Sequence, residues 1–245
     1  FTNRRWEARA YDERVAAALA QRYPLSEIIA RRLAARGVTL ADAPAFLAPK
    51  LRDALPDPSA FKGMDEAAAR LVAALRKNES IAVYGDYDVD GATSAALLLR
   101  FLRAVGHDAK LYVPDRLREG YGPNVAAMRQ LAAEGVSLCI CVDCGTTAHE
   151  PLAAARAAGM EVIVLDHHAS EPELPPAVTV NPNRIDEDAA FGYLAAVGVT
   201  YLFVIAANRA LRQAGWYGER KEPDLLQWVD LVALGTVCDV VKLVG

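Results

Sequence analysis

Five short apolar segments, separated by longer segments with helical spacing, constrain the fold most strongly. We predict strands at residues 80–84 (SIAVY), 110–113, 137–142 (SLCICV), 161–165 (EVIVL) and 177–180. Short apolar runs of this kind, alternating with helices, are typical of parallel strands that are buried on both faces. The sequence therefore predicts an α/β fold in which helices cover both faces of a parallel sheet.

The predicted helices of this α/β part occupy residues 65–77, 92–105, 124–133, 149–158, 194–213 and 223–234. Ahead of them, helical spacing predicts two helices at residues 11–22 and 25–36. Thr39 and Asp42 resemble a capping box that opens a further short helix ending at Leu47. Three prolines, Pro49, Pro56 and Pro58, indicate a linker. We therefore divide the chain into a helical segment with its linker, residues 1–63, and an α/β domain, residues 64–245.

Composition excludes several classes of protein. The longest uncharged stretch, residues 191–208, contains two glycines and Thr200, so it favours a buried core helix over a membrane span. Arg4 and Arg5 precede any apolar run, which does not fit a secretory signal. The net charge of −4 neither indicates nor excludes a nucleic-acid partner. The first residue, Phe1, is not a methionine, so we expect this chain to be part of a longer protein.

The four cysteines do not form the pattern of a zinc site or of a disulfide framework. Cys141 and Cys144 form the one C-x-x-C pair, and no second pair supplies the other two ligands of a tetrahedral site. Cys139 lies close to them, so we expect three buried thiols on or beside a strand. Free thiols are typical of the reducing cytoplasm, which is the location that we predict.

Acidic residues follow three of the predicted strands. Asp86, Asp88 and Asp90 follow the first strand, Asp143 follows the third, and Asp166 with two histidines follows the fourth. The carboxyl ends of parallel strands meet at one edge of a sheet, where ligands bind. One Asp at a helix N-cap is ordinary, but three carboxylates in five residues repel one another unless a cation neutralises them. This segment therefore predicts metal binding.

Two familiar alternatives for this acidic segment fail. An EF-hand calcium loop starting at Asp86 would need Glu at its twelfth position, which is Leu97, and a strand precedes the loop where an EF-hand has a helix. A dinucleotide-binding turn would carry glycines where this chain carries acids. Carboxylate and imidazole ligands without thiolate favour Mn²⁺ or Mg²⁺, with zinc possible. Several carboxylates with few histidines fit a site for two metal ions.

Four motifs then resemble those of the DHH phosphoesterase superfamily. They are GDYDVDG at residues 85–91, DCG at 143–145, DHH at 166–168 and GTVCD at 235–239. The strings EGYG at 119–122 and NPN at 181–183 are similar to RecJ-type exonucleases within that superfamily. The resemblance implies that residues 64–245 are a DHH catalytic domain, and that the C-terminal DHH-associated and OB-type domains of that family are absent from this chain.

The resemblance also implies an activity. It is that of a two-metal 5′→3′ exonuclease that uses Mn²⁺ or Mg²⁺ to hydrolyse single-stranded DNA to 5′-mononucleotides, in recombination and repair. Single-stranded DNA would be the substrate, and a single-strand-binding protein or a helicase would be the protein partner. Two alternatives stay open. One is a DHH phosphatase or oligonucleotidase acting on short nucleotides, and the other is a non-catalytic DHH scaffold that has lost metal ligands.

Residue roles follow from the same resemblance. Asp88 and Asp90 would hold one metal each, with Asp143 bridging the two ions. The full set of implied metal ligands is Asp86, Asp88, Asp90, Asp143, His167 and Asp239. His168 would contact the phosphate or polarise the nucleophile, and Asp166 would orient the histidines.

Further residues of the resemblance concern the substrate. Arg116 and Arg118, just past the second strand, would hold a phosphate oxygen or be solvated loop arginines, and Tyr121 would stack a base or fill a turn. Tyr84 stands where related phosphatases have a histidine, so one metal would have fewer protein ligands. The hydroxyls of Thr146 and Thr147 would bind phosphate or cap the next helix, and of the two we favour capping.

Overall fold

The computed structural model describes residue 5 and residues 7–243. These residues fall into two compact units that part between Pro56 and Asp57. The sequence placed the division at residue 63, and that domain boundary stays a prediction. Within the described residues, no helix is long and apolar enough to cross a membrane.

The described part of the first unit contains four short helices. They are α1 (Glu13–Arg22), α2 (Glu27–Ala35), α3 (Ala43–Leu47) and α4 (Leu51–Ala54). The caps are local: the carboxylate of Asp12 accepts hydrogen bonds from the first-turn amides of α1, and Ser26 does the same for α2. Thr39 and Asp42 exchange side-chain-to-backbone hydrogen bonds of 3.3 Å, as a capping box requires. The predicted linker contains a short helix, since α4 lies within it.

The second unit alternates strands with helices. Its strands are β1 (Ile81–Gly85), β2 (Lys110–Tyr112), β3 (Leu138–Val142), β4 (Glu161–Leu165) and β5 (Val178–Val180). Its helices are α5 (Met64–Lys77), α6 (Val89–Ala104), α7 (Val125–Ala133), α8 (His149–Ala157), α9 (Ala196–Gln213) and α10 (Val229–Cys238), with 3-10 turns at Pro58–Ala60, Ala189–Phe191 and Leu225–Trp228.

All five strands pair in parallel, in the order β2-β1-β3-β4-β5. The chain leaves β1 toward β2 on one side and returns to place β3 on the other. The strand order therefore reverses between β1 and β3. In open α/β sheets this reversal opens a crevice at the carboxyl ends of the strands, where ligands bind. The fold class predicted from the sequence is confirmed.

Helices cover both faces of the sheet. On one face, Tyr84, Cys139, Cys141 and Val164 pack against buried residues of α7 and α8 such as Met128. On the other face lie α5, α6 and α9. Cys144 is buried beside β3, so the three thiols expected at this strand are buried, and within the described residues all four cysteines of the chain are unpaired.

Most predicted elements begin and end within two residues of the observed ones, and three differ more. The helix predicted to open at Thr39 begins at Ala43, since Asp42 is its N-cap. Helix α6 starts at Val89, three residues before the predicted position, because Asp88 caps it. The helix predicted at residues 223–234 was wrong in extent. A 3-10 turn occupies Leu225–Trp228, and α10 continues through Gly235 as far as Cys238. The fourth motif is therefore the end of a helix.

Candidate metal centre

The first acidic segment lies where the chain turns from β1 into α6. Asp86 is buried, and the carboxylate of Asp88 accepts a 2.9 Å hydrogen bond from the amide of Gly91. Glycine is needed at this turn, because a β-carbon at position 91 would lie 2.6 Å from the carbonyl oxygen of Asp86. Burial raises the pKa of Asp86, and the charge of Asp88 acts in the same direction. One carboxylate oxygen of Asp86 has no hydrogen-bond partner in the described part of the chain.

Asp90 lies in the first turn of α6 and is 1% exposed. Its carboxylate accepts hydrogen bonds from the amides of Ala196 (2.7 Å) and Val197 (2.9 Å), in the first turn of α9. Such amides have no partner within their own helix. Asp90 therefore caps α9 from another helix, which fixes its carboxylate in place. Burial still raises the pKa of Asp90.

Asp143 follows β3 in a left-handed backbone conformation, with φ of 62°. Its amide donates a 2.9 Å hydrogen bond to the carbonyl of Leu165, and its side chain is buried. Neither carboxylate oxygen accepts a hydrogen bond from any described residue. Burial, together with the charges of Asp90 and Asp88, raises the pKa of Asp143 to about 10. A buried carboxylate of this kind is stable in its ionised form only beside a cation.

Asp166, at the end of β4, is saturated with hydrogen bonds instead. One oxygen accepts from the amides of His167 (2.7 Å) and His168 (3.2 Å) and lies 2.7 Å from Nδ1 of His168. The other accepts from the amide of Thr146 at 3.0 Å. Burial alone would raise the pKa of Asp166, but these hydrogen bonds outweigh it and lower the pKa to about 2. Asp166 is therefore an ionised group that orients the ring of His168, and the same hydrogen bond raises the pKa of His168.

His167 lies among three carboxylates that come from different elements. Its Nε2 is 3.4 Å from Oδ1 of Asp143, 3.7 Å from Oδ2 of Asp239 and 3.8 Å from Oδ2 of Asp90. This nitrogen is buried and has no hydrogen-bond partner among the residues described. A ring nitrogen aimed at several carboxylates is the arrangement that a shared cation would require.

Asp239 reaches this cluster because α10 packs closely against α6 and α9. Asp239 is the C-cap of α10, one turn after Gly235. A β-carbon at position 235 would lie 2.8 Å from Cγ1 of Val197 and closer still to the hydroxyl of Thr93. Glycine therefore permits the contact between helices that places Asp239 beside His167.

The cluster divides into three groups of residues. Within each group, the ligand atoms lie within 4.8 Å of one another. The groups are Asp86 with Asp88 and Asp143, Asp90 with His167 and Asp239, and Asp143 with His167 and His168. Asp143 and His167 each belong to two groups, so the geometry suits two neighbouring cations with Asp143 between them. The structure thus brings together all the residues that the resemblance implies as metal ligands.

The predicted substrate-binding residues lie on the loop after β2. The guanidinium of Arg116 is 5.0 Å from the ring centre of Tyr87, and its charge opposes the rise that burial causes in the pKa of Asp86. The side chain of Arg118 is 86% exposed, and its Nε lies 3.9 Å from Oδ2 of Asp115. The hydroxyl of Tyr121 lies 3.3 Å from the carbonyl oxygen of Asp143 and 3.3 Å from either ring nitrogen of His168.

Tyr84, at the position where related phosphatases have a histidine, uses its hydroxyl for a contact within the protein. Its hydroxyl donates a 2.9 Å hydrogen bond to the carbonyl of Gly122, and its ring stacks on Tyr112. It therefore supports the loop that carries Tyr121.

The predicted capping role of the two threonines was wrong. Ala148 is the N-cap of α8. The amide of Thr146 donates to Asp166, and its hydroxyl accepts a hydrogen bond from Asn181. These contacts join the loops that follow β3, β4 and β5, so the local spacing of residues could not predict them. The string NPN at residues 181–183 resembles RecJ-type exonucleases, but its spacing predicts no contact with Thr146.

Comparison with known proteins agrees with this geometry. Residues 80–236 match the sequence model of the DHH family, N-terminal domain. The chain is 37% identical over 241 residues to the single-stranded-DNA-specific exonuclease RecJ of Bacillus subtilis (strain 168), covering 98% of this chain and 29% of that protein. It therefore spans less than a third of that relative's length.

Two solved structures of RecJ from Thermus thermophilus are also similar. The complex with Mn²⁺ is 33% identical with a TM-score of 0.71, covering 94% of this chain and 30% of that one. The complex with Mg²⁺ is 29% identical with a TM-score of 0.56, covering 94% and 27%. Because the family's sequence model matches more than half of its length, the chain belongs to the DHH family.

Proposed function

We propose that this chain contains the metal centre of a single-strand-specific DNA exonuclease. The observation that carries the proposal is the buried carboxylate of Asp143, which has no hydrogen-bond partner among the residues that the structure describes. Other acids and His167 surround it, at the point where the strand order reverses. The relatives with which it shares this region are single-stranded-DNA-specific exonucleases by name. Their solved structures hold Mn²⁺ or Mg²⁺.

Two divalent ions fit the residues present. Asp86 and Asp88 would hold one ion, Asp90 and Asp239 the other, and Asp143 would lie between them. His167 would complete the group that contains Asp90. Oxygen ligands with few imidazoles suit Mn²⁺ or Mg²⁺. When bound, such a pair of ions activates a water molecule and stabilises charge on the phosphoryl oxygens.

The protein's own groups orient this chemistry. Asp166 accepts the Nδ1 proton of His168, so that Nε2 is the nitrogen left to contact the phosphate or the nucleophile. The raised pKa of His168 favours its charged form, which suits a contact with a phosphate oxygen. Arg116 adds a second positive charge beside the acidic cluster.

Several finer features rest on the resemblance to these exonucleases. They are the 5′→3′ polarity, the release of 5′-mononucleotides, the role in recombination and repair, and a single-strand-binding protein or a helicase as partner. A cytoplasmic location is supported by the four cysteines, which are unpaired in the described residues.

The test is hydrolysis of a long single strand in the presence of Mn²⁺. The strand carries a 5′-phosphate and a label at one end, and a dinucleotide and pyrophosphate are assayed beside it. We expect release of mononucleotides from the 5′ end, and loss of that activity in Asp143→Asn. Arg118→Ala is the matched control, because the side chain of Arg118 lies in solvent on the same loop as Arg116.

Two results would overturn the proposal. Cleavage of the dinucleotide or pyrophosphate with no attack on the long strand would identify a phosphatase or oligonucleotidase. Absence of both Mn²⁺ binding and hydrolysis would identify a non-catalytic scaffold.

A further inference from the structure

Two asparagines that follow β5 contact the backbone of both histidines in the metal centre. Asn181 is fully buried and Asn183 is partly buried. Both lie on the loop that follows the edge strand of the sheet, outside the group of acids and histidines described above. The proposed chemistry gives them no role.

The side chain of Asn181 joins two loops. Its amide nitrogen donates hydrogen bonds of 2.8 Å to the hydroxyl of Thr146 and of 2.8 Å to the carbonyl oxygen of His168. Its amide oxygen accepts a 2.7 Å hydrogen bond from the backbone amide of Asn183. Because the oxygen is engaged by an N–H donor, the nitrogen is the end that faces His168.

Asn183 makes the corresponding contact with the other histidine, His167. Its amide nitrogen donates to the carbonyl oxygen of His167, and also lies 3.3 Å from the carbonyl oxygen of Gly192. Thus the carbonyls of both histidines accept hydrogen bonds from side chains of one loop. On the opposite side, the amides of the same two histidines donate to Asp166.

We propose that Asn181 and Asn183 are positioning residues that hold His167 and His168 in the orientation needed to bind divalent metal. The peptide groups of the two histidines are fixed from both sides, by the carboxylate of Asp166 and by the two carboxamides. Small rotations of these peptides would move Nε2 of His167 away from its 3.4 Å approach to Asp143. Groups that orient metal ligands in this way commonly change metal affinity by about 10–100-fold when they are replaced.

The chemistry of the side chain is specific to asparagine. Both contacts require an N–H donor aimed at a carbonyl oxygen. Aspartate has nearly the same shape but offers only acceptors, so it would repel the histidine carbonyl that asparagine binds. This inference rests on the proposed metal-dependent function, and its test measures metal binding directly.

The experiment compares Asn181→Asp and Asn183→Asp with Asn208→Asp. Asn208 is a matched control, because it is a buried asparagine of α9 whose side chain bonds to Glu222 and Tyr217, both away from the metal centre. Mn²⁺ affinity is measured by calorimetry, the visible absorption of bound Co²⁺ reports the ligand geometry, and urea unfolding in EDTA reports stability.

We expect the two loop variants to bind Mn²⁺ about 10–100-fold more weakly and to shift the Co²⁺ absorption. Asn208→Asp should lose stability while keeping its Mn²⁺ affinity. Should an aspartate variant fail to fold, Asn181→Ala and Asn183→Ala remove the donor without adding charge, and the same loss of affinity is expected.

Unchanged Mn²⁺ affinity and an unchanged Co²⁺ spectrum in folded loop variants would overturn the positioning role. A loss of affinity in Asn208→Asp as large as in the loop variants would also overturn it, because the effect would then be one of general stability. Failure of the proposed function is seen in the unsubstituted protein, which would then leave single-stranded DNA intact with or without binding Mn²⁺. Failure of the positioning role is seen only in the comparison of the variants with an unsubstituted protein that binds Mn²⁺.

Discussion

At the scale of single residues, the two buried aspartates that follow β3 and β4 differ in their hydrogen bonding. Asp166 accepts hydrogen bonds from three backbone amides, and its pKa falls to about 2. Asp143 accepts none from the described residues, and its pKa rises to about 10. Because both carboxylates are buried, the hydrogen bonds and the neighbouring charges decide which one is permanently ionised and which one requires a cation.

This contrast predicts how the metal-free protein responds to pH. The folded state keeps the proton of Asp143 until the pH approaches 10, whereas the unfolded chain releases it near pH 4. Stability is therefore lost as the pH rises between these values. We expect Asp143→Asn to be more stable than the unsubstituted protein by about 1–3 kcal/mol near pH 8.

The comparison is made by urea unfolding in EDTA. The difference should nearly vanish near pH 4, where the carboxyl is protonated in the folded state and about half protonated in the unfolded chain. Asparagine also accepts the left-handed backbone of this position, so the substitution adds little strain. An equal gain in stability at both pH values would contradict the expectation.

The two arginines of the loop after β2 provide a second test. Arg116 lies beside the acidic cluster, and Arg118 points into solvent. We expect Arg116→Ala to raise the KM for 5′-phosphorylated single-stranded DNA roughly tenfold, as the loss of one charge-assisted hydrogen bond would. Arg118→Ala should change the KM less than about twofold. Steady-state kinetics at constant salt measures both, and equal effects would show that neither arginine holds a specific phosphate.

At the scale of secondary-structure elements, the site depends on how closely three helices approach. Asp90 on α6 caps α9, and Asp239 on α10 reaches the same cluster. Gly235 lies at the contact, where a β-carbon would come within 3.0 Å of Oδ1 of Asp90. Helix packing and ligand placement are therefore set by the same contact.

We expect Gly235→Ala to destabilise the protein by about 1–3 kcal/mol, the usual cost of overpacking, and to weaken Mn²⁺ binding. Gly198→Ala is the matched control, since that glycine also lies in a helix but its β-carbon would meet Leu194 at an ordinary 3.5 Å. The control should be neutral or slightly stabilising, because alanine favours helix. Urea unfolding and Mn²⁺ titration measure both effects. A Gly235→Ala variant with full stability would show that the helices can separate without cost.

At the scale of the whole molecule, metal binding and folding are linked. The ligands come from four separate stretches of chain, so the unfolded protein does not hold them together. The elements that carry them, including β1, β3, β4 and α10, all belong to the second unit. A cation that binds only the folded state therefore stabilises the whole of that unit.

We expect Mn²⁺ at about one hundred times its Kd to add about 2.7 kcal/mol near pH 8, which raises Tm by roughly 5–10 °C. Near pH 5 the rise should be smaller, because the raised pKa values of Asp86, Asp90 and Asp143 let protons compete with the metal. Scanning calorimetry at the two pH values tests this. A rise that is independent of pH would mean that the metal binds elsewhere.

The sequence by itself determined the order and type of nearly every element, and the chemical class of the site. Apolar runs, helix caps and acids at strand ends are local signals, and local signals depend only on nearby residues. Local sequence alone was enough to predict the strands at residues 80–84 and 161–165 and the acids that follow them. The length of α10 was missed because its course depends on the close contact at Gly235 with Thr93 and Val197.

Only the tertiary structure decided which of these signals meet. It placed β1 beside β3, so that the acids after both strands share one crevice. It also made Asp90 the cap of α9, left Asp143 without a hydrogen-bond partner among the described residues, and joined Asn181 to His168. The physical reason is that each of these contacts joins residues far apart in the chain, and burial and pairing exist only once the sheet and its helices have packed.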